Sequence, residues 1–194
     1  MGWRVHITGA SGAGVTTLGR ALAQALAVPH HDTDDYYWRP TEPPFTEPRP
    51  APERLRLMEA LFLPRRGWVL SGSLSGWGDP VIAHLDATVF VLTPTAERLA
   101  RLEARERTRY GAQADGPERE RRDAFLAWAA AYDDGPPEMR SRARHEAWLA
   151  SLPCPVLRLA GDQPVEGLLA ALLEALPPRQ PANPLSALLN KGPL

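Results

Sequence analysis

Trp3, Val5 and Ile7 stand between the polar residues Arg4 and His6, and this period of two predicts a strand at the start of the chain. After a glycine-rich stretch, Leu18, Ala21, Leu22, Ala25 and Leu26 recur at helical spacing, so the order is strand, loop, helix. A short second strand is expected over residues 27–31, ending in the acidic run Asp32, Thr33, Asp34, Asp35. From Trp38 to Pro52 the chain is crowded with proline and aromatic residues (WRPTEPPFTEPRPAP), which predicts an ordered but irregular loop. A helix is expected next, over residues 53–63.

Apolar runs at Trp68–Leu70, Ala87–Leu92 and Val156–Leu159 read as three further strands, with a helix starting near Pro94 or Thr95 after the second of them. Strands alternating with helices along the whole chain imply a five-stranded parallel sheet, right-handed crossovers and helices on both faces, an α/β fold of three α-β-α layers. Between Leu102 and Leu152 the pattern is helical and rich in arginine, with a loop tip over residues 111–117. The expected organisation is one domain over residues 1–176, including a helical lid over about 102–152, and a proline-rich tail, 177–194, that is mobile or serves self-association. A homodimer is left open on that basis.

A chain of 194 residues buries about 70% of its unfolded surface, enough to fold without disulfides or a structural metal. The formal net charge of -1 gives no general attraction to nucleic acid or anionic membrane, so anion binding has to be local and the partner class is small molecules. The single cysteine, Cys154 in LPCPVL, reads as a small buried hydrophobe. No apolar run reaches the roughly 18 residues of a membrane span, and the cytoplasm is the expected compartment. The basic residues are 21 arginines and one lysine, Lys191 in the tail, which excludes lysine-dependent chemistry in the core.

The segment Gly9, Ala10, Ser11, Gly12, Ala13, Gly14, Val15, Thr16 matches the phosphate-loop pattern G-x4-G-K-[ST] in spacing, in both glycines and in the hydroxyl, with Val15 at the lysine position. Such a turn aims consecutive backbone N–H groups at one point, and the helix N-terminus adds partial positive charge, so phosphate fits there. Thr16 is the candidate Mg²⁺ ligand; Thr17 either caps the helix or touches the α-phosphate. The plainer alternative is a glycine-rich β-α turn without a ligand. A unit charge pair near 4 Å is worth about 4 kcal/mol at an effective dielectric near 20. Felt only in the transition state, its loss costs on the order of a thousandfold in rate, so Val15 weakens the expectation of catalysis more than that of binding.

With this loop in place, the order of elements over roughly residues 3–175 resembles the small P-loop kinases, the shikimate-kinase and adenylate-kinase-like group. The resemblance implies a P-loop NTPase fold and ATP with Mg²⁺ as cofactors. In the shikimate-kinase-like branch a D-x-D pair ends the second strand; by that resemblance Asp32 helps to hold Mg²⁺ through water and Asp34 meets the acceptor hydroxyl. The stretch Trp68 to Ser73 carries no strand-ending aspartate and resembles the same branch, where a glycine-bearing loop touches the acceptor. An exposed turn with an aspartate helix cap is the alternative for Asp32–Asp35.

Arg98, Arg101, Arg105 and Arg109 follow at spacings of 3, 4 and 4, which puts four guanidinium groups on one helix face. They resemble lid arginines; Arg105 and Arg109 are the first candidates to stand in for the missing lysine, with Arg101 next. A solvated helix with pairs such as Glu103–Arg107 is the alternative. Tyr36, Tyr37, Trp38 and Phe45 either wall an acceptor pocket or form a satellite cluster, and Arg54 or Arg56 reads as surface charge before it reads as an anion contact. His30 and His31 read as structural before zinc-binding. Trp128, Tyr132 and Trp148 are expected to pack the lid helices, and Gly161 with Asp162 to lie near the adenine. The expected function is an ATP-dependent phosphotransferase acting on a small metabolite, nucleoside or nucleotide, with Asp34, Arg105 and Arg109 catalytic. The alternative is a nucleotide-binding module or weak NTPase with little or no kinase turnover.

Overall fold

The structure is a computed structural model and describes residues 2–110 and 116–176, with the side chains of residues 109 and 110 left out. The tail 177–194 with Lys191, the loop tip 111–115 and the side chain of Arg109 therefore lie outside the described residues.

Five strands, β1 (Arg4–Gly9), β2 (His30–Asp32), β3 (Trp68–Ser71), β4 (Ala87–Leu92) and β5 (Val156–Ala160), form a sheet in the order β2-β3-β1-β4-β5. Every pairing is parallel. Strands in the middle of such a sheet are covered on both faces and read as continuous apolar runs rather than alternations. In β3 and through most of β4 the residues are buried without interruption.

Helices α1 (Val15–Ala25) and α8 (Val165–Ala175) cover one face, where Leu18, Leu22, Leu168 and Leu172 pack on Val5, Ile7, Val89 and Val91. On the other face α3 (Ala51–Leu61) sends Met58 against Trp68 and Leu70, with Phe62, Leu74 and Val81 completing a second core. Between β4 and β5 the chain makes α5 (Thr95–Tyr110), α6 (Pro117–Ala130) and α7 (Arg142–Ala150). Two short helices, α2 (Thr33–Tyr37) and α4 (Asp79–Ile82), follow the ends of β2 and β3.

Two elements are displaced by two residues or more at their start from where the sequence pattern puts them. The second strand is shorter and later than residues 27–31: Ala27 has φ 51, a turn conformation, and only three residues pair with β3 at the sheet edge. The third helix starts at Ala51, before the expected residue 53, because Pro52 falls at its first turn, where a missing N–H costs nothing. Trp148 also departs from expectation: it packs edge-on to His6 and against the second core rather than among the lid helices.

Candidate functional site

All five strands point their C-terminal ends toward one edge of the sheet, where open α/β sheets place their ligands. The loop from Gly9 to Gly14 leaves β1 there. Gly12 and Gly14 have φ of 81 and 91, which side chains rarely adopt, and a Cβ on Gly12 would come within 2.6 Å of the Arg98 carbonyl oxygen. Behind the loop, alternate carbonyls are held by side-chain donors. Gly9 accepts from Arg140 Nη2 at 2.9 Å, Ser11 from Arg98 Nη1 at 3.3 Å, Ala13 from Thr93 Oγ1 at 3.1 Å and Val15 from Ser71 Oγ at 3.1 Å. With those carbonyls tied back, the N–H groups of Gly12, Gly14, Val15 and Thr16 find no backbone acceptor among the described residues, and Gly14 gives α1 no side-chain cap. A row of unspent donors at a helix start suits an anion.

The loop opens into a cavity of about 1370 Å³. Ala10, Ser11, Gly12, Gly14, Val15, Thr16 and Thr17 line it, while Gly9 and Ala13 sit behind, Ala13 in the first core. Thr16 Oγ1 donates to Asp32 Oδ2 at 2.8 Å, and Asp32 Oδ1 accepts from the Asp34 amide at 3.1 Å. Asp32 is thus both a partner of the loop hydroxyl and the N-cap of α2, so the two sequence readings of the acidic run describe the same residue. An oxygen pair of this kind suits a hard divalent cation. Asp34 also lines the cavity, and burial, then the nearby Asp32 charge, raises its pKa against the opposing charges of Arg140 and Arg105. His30 and His31 turn to separate partners, Ser71 Oγ and the Tyr36 hydroxyl, each at 2.8 Å.

The expected four-arginine face is corrected by Arg98. Its side chain is 1% exposed and bonds Thr93, Ser11, Ala129, Thr95 and Asp133. Arg98 shares the inward face of α5 with buried Leu102, four residues on, so it braces the loop from behind. Arg101 and Arg105 line the cavity instead. Arg101 Nη2 pairs with Glu97 and donates to the Gly161 carbonyl at 3.0 Å, and Arg105 Nε meets Glu106 Oε1 at 3.2 Å. Gly161 itself lies beside the loop, since a Cβ on it would approach the Ala13 carbonyl at 3.2 Å.

At the far end Tyr37, Trp38, Phe45 and Trp77 line the cavity, whereas Tyr36 belongs to the second core. Arg54, expected as surface charge, is buried, with its guanidinium 3.6 Å from the Tyr37 ring centroid and 5.0 Å from that of Trp77. Arg56 is exposed. Two groups escaped the sequence reading. One is Arg140, in the connection between α6 and α7, which reaches Gly9 across 131 positions of sequence. The other is a relay in which Ser73, on the cavity wall, meets His145 Nε2 at 3.2 Å and the Tyr132 hydroxyl meets His145 Nδ1 at 2.8 Å. No local spacing announces either one.

No family model matches the chain. The uncharacterized protein YqaC of Bacillus subtilis (strain 168) is 44% identical over 174 residues, which make up 89% of this chain and 96% of that protein. The chain belongs to the YqaC family. Among solved structures, a shikimate kinase from Bacteroides thetaiotaomicron superposes with a TM-score of 0.54 at 19% identity, covering 90% of this chain and 98% of that one. A shikimate kinase from Aquifex aeolicus gives 0.50 at 15% over 97% and 99%, and a gluconokinase from Sinorhizobium meliloti 1021 gives 0.50 at 18% over 90% and 91%. This YqaC relative has the P-loop kinase fold, with the five-stranded parallel sheet expected of it. Among the described residues no helix is long and apolar enough to cross a membrane.

Proposed function

We propose that the chain is an ATP-dependent phosphotransferase acting on a small-molecule acceptor. The observation that carries this reading is that one cavity joins the loop of unspent amides and the Thr16–Asp32 pair at one end to Asp34 and an aromatic wall at the other. Donor and acceptor can meet there with water displaced. Under this reading the loop amides hold the nucleotide phosphates, and Thr16 and Asp32 hold Mg²⁺. When bound, that ion supplies charge neutralisation on the phosphate oxygens. Asp34 orients the acceptor hydroxyl and takes its proton as the acceptor oxygen bonds to the γ-phosphorus and the bond from that phosphorus to the leaving ADP oxygen breaks. Arg101 and Arg105 add positive charge from the cavity wall.

Val15 favours a second reading, a nucleotide-binding module with little turnover, since the loop lacks its usual lysine. Purified protein incubated with Mg-ATP and a panel of sugars, polyols, hydroxy acids and nucleosides separates the two. The kinase reading expects acceptor-dependent ADP release. Tight ATP binding with no acceptor-dependent release on any member leaves the binding module, and no binding of ATP, ADP or GTP removes both.

A further inference from the structure

A side chain at position 15 and the guanidinium of Arg140 converge on one residue. Val15 Cγ1 lies 3.2 Å from where a Cβ on Gly9 would stand, so the residue at the lysine position turns toward the first residue of the loop. Arg140 Nη2 donates to the carbonyl of that same Gly9 at 2.9 Å. A longer cationic side chain at 15 would direct its charge into the region that Arg140 already enters.

The other arginines around the loop differ in what else they hold. Arg98 is committed to five protein acceptors behind the loop. Arg101 is tied to Glu97 and Gly161, and Arg105 to Glu106. Arg140 lines the cavity, is half-buried, and has the Gly9 carbonyl as its one hydrogen-bond acceptor among the described residues; its Nε is buried without a partner. A buried charged donor without an acceptor is costly, and an ion, a ligand or a water would each relieve it. One Nη fixed on a backbone carbonyl also orients the rest of the planar fork, which matches two phosphate oxygens as an ammonium does not.

We propose that Arg140 supplies the cation that the phosphate loop lacks at Val15, placing its guanidinium on the β- and γ-phosphate oxygens of a nucleoside triphosphate. This rests on the loop being a nucleotide site. It assigns the lysine's post to the α6–α7 connection, leaving Arg101 and Arg105 to the outer side of the cavity.

Calorimetric titration of the full chain with Mg-ATP, Mg-ADP and AMP tests the proposal. Arg140→Met should weaken Mg-ATP and Mg-ADP at least tenfold and leave AMP within twofold. Val15→Lys in the Arg140→Met background should recover most of that loss, because the new ammonium enters the vacated region. Val15→Lys with Arg140 intact should change Mg-ATP affinity less than threefold, and this arm remains decisive if Arg140→Met does not fold. A folded Arg140→Met variant that binds Mg-ATP like the unmodified chain overturns the proposal, as does a tenfold tightening by Val15→Lys alone. In either case the nucleotide site stands. An unmodified chain that binds no nucleoside di- or triphosphate removes the site itself, and the proposal with it.

Discussion

Thr16 Oγ1 donates to Asp32 Oδ2 at 2.8 Å, joining the phosphate loop to the end of β2. The hydroxyl keeps its lone pairs for a cation while its O–H points at the carboxylate. Asp32→Asn removes the negative charge and keeps one oxygen, enough for the α2 cap, while its amide N–H group faces the Thr16 hydroxyl, which then accepts instead of donating. If the pair holds Mg²⁺, nucleotide affinity in excess Mg²⁺ should fall about tenfold in the variant, an effect of roughly 1.4 kcal/mol, while affinity measured in EDTA should hold or rise. Equal losses with and without the metal would show that Asp32 only shapes the loop.

Arg98 carries a different kind of prediction, because its 1% exposed side chain bridges the loop, Thr93 just beyond β4, α5 and α6 through one guanidinium. Removing one partner of a buried pair strands the others, so Arg98→Met should cost about 3–5 kcal/mol. Arg56→Met, at an exposed position of α3, should stay within about 0.5 kcal/mol. Urea denaturation of both variants checks the contrast. Similar midpoints would mean that the loop does not depend on its brace.

Sequence revealed those parts of the fold that depend on local pattern. Ala87–Leu92 is a strand with the bounds its apolar run suggests, and two glycines of the loop, Gly12 and Gly14, fall where left-handed backbone is needed. It misplaced β2, because an edge strand with three paired residues leaves too short a run to fix its start. It missed α4, whose four residues complete barely one turn. In the site, Thr16, Asp32 and Asp34 were legible because they follow the first two strands closely. Arg140 and His145 were not. Their partners, Gly9, Ser73 and Tyr132, are set by how α6 and α7 fold back over the sheet, and helical periodicity says nothing of that return. Arg98 failed the opposite way, since spacing put it in a stripe that packing divides between two faces.

The relay through His145 predicts a signature in acid. Burial, then the charges of Arg140, His6 and Arg144, lowers the pKa of His145 to about 3, and burial lowers that of His6 to about 4 against its bond to the Leu70 carbonyl. Unfolded, each ring takes a proton near 6.5. Between those limits the unfolded state holds more protons, so the contribution of each ring to stability is complete above about 6.5 and is lost on acidification at about 1.4 kcal/mol per pH unit. Asp34 and Asp35 have raised pKa values and act with the opposite sign just above 3.8, so the total slope alone does not isolate the histidines. Comparison with His145→Asn does. The variant should be less stable at pH 7, because Ser73 and Tyr132 lose their shared partner, yet from pH 6.5 to 4.5 it should lose about 2 kcal/mol less than the unmodified chain. Parallel stability curves over that range, from urea midpoints at each pH, would show that His145 is protonated in the fold and that the relay from Tyr132 to Ser73 is broken in acid without cost.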